Sequence, residues 1–190
     1  MANLSCHFPI FGPLLVCAFI TLSLTSTEAL KPKVARLQFY MHDVVQGPNR
    51  TAVRVAGPSP DDQSTLMNST GLNPFAAFFG PVFVMDNPLT TAPDRGSALV
   101  GRAQGIYIHA SQQNEFSLHM TLTYMFVSGP YNGSSFSVVG RNPVMGEDRE
   151  LPIVGGTGMF RLARGYCLLE THSMDGMNAV VGYNATVIHY

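Results

Sequence analysis

Asp43 is the side chain whose position makes the strongest chemical demand. The run from Val34 to Val45 alternates with period two, placing Leu37, Phe39, Met41 and Asp43 on one face and Arg36, Gln38, Tyr40 and His42 on the other. A carboxylate on that apolar face is desolvated, which raises its pKa and makes it a proton donor near neutral pH. The alternative is a structural role, as an ion pair with Arg149 or a cap on loop backbone. Tyr40, Tyr107, Tyr183, Phe39 and ten methionines offer stacking and soft packing to a flat apolar guest, whose phenolic oxygens Asp43 and Arg149 would hold.

Other motifs exclude chemistry. Gly155-Gly156-Thr157-Gly158 lacks the Lys-Ser/Thr of a phosphate loop and the opening helix of a dinucleotide fingerprint, so it reads as a tight hairpin needing left-handed backbone. His42, His109, His119, His172 and His189 show no helical i, i+4 pair and no short hook with Cys, so no metal site is expected. No serine stands in a nucleophile elbow. Asp86, before Asn87-Pro88, reads as a residue fixing a turn beside Arg102.

These residues need strands to position them. Val34 to Val45, Thr51 to Ala56, Phe75 to Met85, Ala98 to His109, Phe116 to Val127, Ser135 to Val139, Arg149 to Val154, Met159 to Glu170 and Ala179 to Tyr190 are bounded by Gly, Pro, Asn or Ser clusters, and none shows a helical stripe. Residues 46–74 read as the least ordered stretch. The pattern predicts an all-β fold of about eight antiparallel strands, and closure into a barrel removes the sheet edges that a sandwich would leave. In the last strand Val181, Tyr183, Ala185 and Val187 would face inward, opposite Asn184. From 98 onward Leu99, Gly101, Ala103, Gly105 and Tyr107 share a face with little side-chain volume, which either admits close packing or leaves room for a ligand.

The chain has 190 residues, 46% hydrophobic and 12% charged, with eleven Lys or Arg against twelve Asp or Glu. That excludes a basic nucleic-acid binder, an acidic tail and a charged coiled coil. Residues 1–29 read as a signal peptide: Phe8 to Leu24 is apolar and uncharged, is broken by Pro9, Gly12 and Pro13, and is followed by Thr27-Glu28-Ala29. The mature domain, residues 30–190, would be soluble, with no membrane association and equal numbers of acidic and basic side chains. Only Cys167 would stay, a buried structural thiol, so stability must come from packing or assembly. Acceptor sequons at Asn49, Asn68, Asn132 and Asn184 agree with export as a glycoprotein. Val100, Ile106 and Ile108, on the face opposite the cavity, predict assembly.

Longer motifs carry a family resemblance. Phe39-Tyr40-Met41-His42-Asp43, Phe79-Gly80 with Asp86 and Leu89-Thr90, Gly101-Arg102-Ala103-Gln104-Gly105-Ile106-Tyr107, and the run from Arg149 to Tyr166 resemble the plant dirigent proteins, in family order and across nearly all the mature chain. The resemblance implies an eight-stranded antiparallel β-barrel, a homotrimer secreted to the apoplast and working without a cofactor. It would impose stereochemistry on phenoxy-radical coupling of phenylpropanoids in lignan-type biosynthesis, with laccase or peroxidase supplying the radicals. It implies catalytic roles for Asp43 and Arg149 and puts Asn142 in the substrate pocket, beside Phe39, Tyr107 and Tyr183, which the residues themselves offer to a flat guest. The family's second pocket aspartate falls on Asn142, within Gly140-Arg141-Asn142-Pro143; an amide orients a hydroxyl but is no general acid. That form resembles the branch including pterocarpan synthase, which implies an alternative: a dehydratase closing an isoflavanol through a quinone methide. A non-catalytic phenolic-binding defence role is the third expectation.

Overall fold

Val181, Tyr183, Ala185 and Val187 are buried and Asn184 between them is exposed, so the last strand adopts the alternation its sequence carries. The computed structural model describes residues 31–59, 61–62, 75–112, 115–147 and 149–190; the expected leader at 1–29 and the Asn68 sequon lie outside them. Nine strands are formed among the described residues: β1 (Lys33–Asp43), β2 (Ala52–Ala56), β3 (Val82–Thr90), β4 (Leu99–His109), β5 (Ser117–Phe126), β6 (Ser135–Pro143), β7 (Arg149–Thr157), β8 (Arg164–Asp175) and β9 (Asn178–His189). Antiparallel neighbours run β1-β9-β8-β7-β6-β5-β4-β3, and β3 pairs back onto β1 through Tyr40–Thr90 and Met41–Leu89. Eight strands therefore close the barrel, and β2 continues where β1 leaves off along the edge of β3.

A buried clasp secures the closure. The Thr90 hydroxyl donates to the Ala92 carbonyl at 2.7 Å, so the His42 ring must donate its Nε2–H to Thr90 Oγ1, also at 2.7 Å. His42 falls on the outward face by alternation, yet it is buried. Closure has laid the end of β3 over it, and burial lowers its pKa.

β3 corrects the expected turn around Asp86-Asn87-Pro88, because all three lie within the strand. The Asp86 amide donates to the Thr51 carbonyl at 2.8 Å. Two residues on, the Pro88 nitrogen faces the same side, between the β2 pairing at Met85 and the β1 pairing at Leu89. No ladder bond is asked of it there. Asp86 instead pairs with Arg102 at 2.5 Å on the outer surface, where such a pair contributes little. The glycine-rich segment is a turn only at its end: Gly155 and Gly156 belong to β7, and Gly158 has φ 60° and opens a single 3-10 turn, Gly158–Phe160.

Alternation tells which face of a strand is inside but not how far along the bore each side chain sits. The half of the bore remote from Asp43 is filled by Phe39, Tyr124, Phe136, Phe160 and Tyr183, with Phe39 stacked on Tyr183 at 5.3 Å and Tyr124 on Phe136 at 5.1 Å. Burying each ring contributes roughly 1.5–3 kcal/mol. The small face of β4 serves this packing: a Cβ on Gly101 would lie 2.3 Å from the Met125 carbonyl oxygen and 3.3 Å from Leu89 Cδ1. Cys167 is sealed in the same layer, and burial pushes its thiol up to about 12.

Candidate functional site

The opposite half of the bore stays open as a cavity of about 350 Å³. Strand ends supply its walls: Met41 and Asp43 from β1, Tyr107 and His109 from β4, Met120 from β5, Asn142 from β6, Arg149 from β7 and Val181 from β9. Phe75, Phe78 and Phe116 add aromatic surface at the mouth, and Met145, Met174 and Met177 ring it with flexible thioethers. A wider groove of about 910 Å³ runs over β1, β9, β8 and the start of β7, lined by Gln38, Tyr40, Glu170 and Asn184, and shares Met145, Arg149, Thr171 and Met174 with the cavity; it is more polar and holds no buried acid.

Barrel closure creates the acid's environment. Tyr40–Thr90 and Met41–Leu89 continue in antiparallel register to set Asp43 opposite Asn87. Asn87 is 0% exposed, and its Nδ2 donates to Asp43 Oδ1 at 3.1 Å. The Tyr107 phenol turns toward the same carboxylate and favours its ionised form, while its ring stacks on Phe83 at 4.9 Å. Burial raises the Asp43 pKa from 3.8 to about 6, against the pull of these two donors. The carboxyl is thus largely in its acid form in a weakly acidic medium.

Arg149 is 4% exposed and does not pair with Asp43. Its Nε donates to Asn142 Oδ1 at 2.9 Å and its Nη1 donates to Thr171 Oγ1. Asn142 in turn donates through Nδ2 to Met120 Sδ at 3.1 Å. Among the described residues no carboxylate neutralises the guanidinium. Burial lowers the Arg149 pKa, yet arginine keeps its charge. The site therefore sets one neutral-capable acid and one cation that no described carboxylate neutralises in an apolar chamber. That pair can protonate one oxygen of a guest and hold negative charge on another.

The structure brings Asp43, Tyr107, Asn142 and Arg149 to this cavity. It does not bring Phe39 or Tyr183, whose rings lie in the packed layer beneath. Asn49, Asn132 and Asn184 are exposed. Asn87, Thr171, Met120 and His109 complete the site without having been singled out for it from the sequence. For Asn87 a signal existed: it follows Met85 by two residues on an alternating run, but the Asn-Pro pair read as a turn. Among the described residues no group of three or more His, Cys, Asp or Glu could hold a metal, and no helix is long and apolar enough to cross a membrane.

Comparisons with known proteins agree with this geometry. Residues 34–188 match the family described as Dirigent-like protein. Dirigent protein 23 of Arabidopsis thaliana is 44% identical over 164 residues, covering 85% of this chain and 81% of that protein. Pterocarpan synthase 1 of Glycyrrhiza echinata is 44% identical over 161 residues, covering 83% and 79%. The solved structure of a pterocarpan synthase dirigent protein superposes with a TM-score of 0.72 at 43% identity, covering 86% of this chain and 88% of that one.

Proposed function

This chain belongs to the dirigent family, and from that premise we propose that its cavity holds a flat phenolic electrophile and sets which face is attacked, with Asp43 as the proton donor. The carrying observation is the Asp43 carboxyl desolvated inside an aromatic and thioether-lined chamber that also holds the Arg149 guanidinium, which no carboxylate among the described residues neutralises. A chamber of about 350 Å³ lies in the range of small-ligand sites. Orientation in it supplies the stereochemistry.

The first reading is a dehydration through a quinone methide, which needs a single acid. Asn142 has its amide committed to Arg149 and Met120, so it offers no second carboxyl. On this route Asp43 protonates a benzylic hydroxyl, the C–O bond breaks with its electron pair on oxygen, and water leaves. The conjugated phenol releases its proton to solvent and becomes the methide carbonyl, beside Arg149. A second phenolic oxygen then bonds to the methide carbon, its proton passes to the Asp43 carboxylate, and the carbonyl oxygen regains a proton from solvent. The net change is loss of one water. The relatives named pterocarpan synthase support this reading.

The second reading is stereoselective guidance of phenoxy-radical coupling in lignan-type biosynthesis, with a separate laccase or peroxidase as the oxidant. Relatives named only as dirigent proteins support it, as does a chiral apolar chamber that would orient radicals without acid. Incubating purified protein with isoflavanols and monolignols, followed by chiral chromatography, separates the two. Product without oxidant carries the first reading, and stereobias only with an oxidase carries the second. Binding of phenolics without product or stereobias leaves the non-catalytic phenolic-binding defence role, and absence of binding to either class overturns all three.

We also place the protein outside the cell as a glycosylated homotrimer. The apolar stretch Phe8 to Leu24 and the exposed Asn49, Asn132 and Asn184 support export. In the ring of eight strands β9, which carries Asn184, lies opposite β5, so a glycan there leaves the outer face of β3 to β6 free for subunit contacts.

A further inference from the structure

His109 ends the inward face of β4, one repeat nearer the mouth than Tyr107, and is only 4% exposed. Its ring stacks on Phe83 at 5.4 Å and meets the edge of Phe116 at 4.9 Å. Nδ1 lies 3.1 Å from the Phe78 carbonyl oxygen. A carbonyl only accepts, so Nδ1 carries the hydrogen, and a neutral ring then leaves Nε2 as a lone-pair acceptor. Nε2 has no hydrogen-bond partner among the described residues, and the side chain lines the cavity. Burial first, and the Arg54 charge second, hold the ring's pKa down to about 4, which keeps it neutral.

We propose that His109 is a specificity-determining residue whose Nε2 accepts a hydrogen bond from a free phenolic hydroxyl at the mouthward end of the ligand. This rests on the phenolic reading of the cavity and narrows it. The Tyr107 hydroxyl turns to Asp43, whereas the His109 ring, 6.3 Å from that of Tyr107, stands beyond it. A ligand spanning both would carry oxygens at each end of a flat ring system: one beside Asp43 and Arg149, the other a hydroxyl donor at His109. A methyl ether at that outer position would displace water from Nε2 and return no donor, leaving a buried acceptor unpaired. Polar sites reject analogues lacking the matching group on that ground. The expected preference for free phenol over ether is roughly ten- to hundredfold in affinity.

His109 also anchors the mouth, because its backbone accepts from Gly80 at 2.9 Å and donates to Pro81 at 3.0 Å, beside the Nδ1 contact. The test must separate anchor from selector. His109→Asn keeps an amide N–H near Nδ1 and has nothing at the Nε2 position; His109→Gln places an amide oxygen near Nε2. Calorimetric titration would use a dihydroxyisoflavan and its two mono-methyl ethers. The wild-type chain should prefer the diol to one of the ethers; His109→Asn and His109→Gln both lose the ring contacts and should fall in melting temperature alike, but His109→Asn should lose most of the preference and His109→Gln should keep part of it. Wild-type preference retained in His109→Asn overturns the proposal. So does equal wild-type affinity for the diol and both ethers, whatever the variants do. A wild-type chain that binds none of the three, nor any monolignol, instead overturns the phenolic reading itself.

Discussion

Asn142 and Arg149 are joined by a 2.9 Å hydrogen bond across the seam between β6 and β7, whose backbone ladder ends at Val138 and Ile153, short of the cavity. Beyond that pair the side chains do what the ladder does elsewhere: Asn142 Oδ1 takes the Arg149 Nε–H while Thr171 on β8 takes Nη1–H. The bond thus spans the parted strands and aims a buried cation at the chamber. Asn142→Leu would leave the guanidinium Nε without an acceptor. It should lower stability by about 1–3 kcal/mol, read as a fall in melting temperature, and weaken phenol binding in the same titration. A variant as stable and as tight as the wild type would show that the contact neither spans the seam nor orients the charge.

Asp43→Asn keeps the shape of the side chain and removes its proton. The Asp43 pKa is about 6 when folded against an ordinary 3.8, so the folded chain holds this proton more tightly than the unfolded chain. The acid form incurs no penalty below about pH 4. As pH rises from about 4 to 6 the unfolded chain releases this proton while the folded chain keeps it, and stability falls by about 3 kcal/mol relative to the neutral amide, levelling off once the folded carboxyl ionises. Denaturation of the two proteins should therefore coincide near pH 4, with Asp43→Asn the more stable at pH 8. Turnover or stereochemical bias should be largely lost in the variant. In the wild type it should fall about tenfold per pH unit above 6. An active, equally selective Asp43→Asn protein would remove Asp43 as the acid.

Tyr107→Phe tests the donors that hold this carboxyl. The phenol favours the ionised form of Asp43, so its removal should push the Asp43 pKa further up and carry the alkaline limb of the rate profile to higher pH. Stability at pH 8 should drop by about 1.5–3 kcal/mol, because a hydrogen bond to a charged group is lost, while stability near pH 4 changes less. A limb that stays in place would mean that the hydroxyl does not reach the reacting carboxyl.

Sequence periodicity went a long way here because strand alternation is a local property. The inward set of β9, the apolar face leading to Asp43 and the eight-strand closure follow from it. It could not fix height along the bore, which depends on stagger between strands. Phe39 and Tyr183 were accordingly expected in a pocket, yet they sit in the filled half. Nor could it show the partners that closure brings together across long sequence separations, such as Asn87 with Asp43 or Thr171 with Arg149. Proline misled for a related reason: Pro88 reads as a breaker until the gap between β2 and β1 shows that no donor is needed there.

The outer wall carries a separate expectation. Val53, Val84, Ile106, Thr121 and Val139 stand in register across β2 to β6. The four aliphatic members of this row are each at least 36% exposed. Ile106 has this outward position, whereas Val100 and Ile108 are half-buried. A row of exposed aliphatic side chains in register across neighbouring strands marks a contact surface, and one repeated on identical chains suits closed cyclic assembly. Light scattering at micromolar concentration should give a mass near three chains, and Ile106→Lys should shift it toward one. Because Ile106 points away from the bore, the dissociated variant should still bind the phenolic ligand of the wild type with affinity changed less than about threefold, a range typical of surface substitutions. A wild-type chain that scatters as a monomer would exclude this row as an interface, and loss of ligand binding with dissociation would mean that the chamber depends on its neighbours.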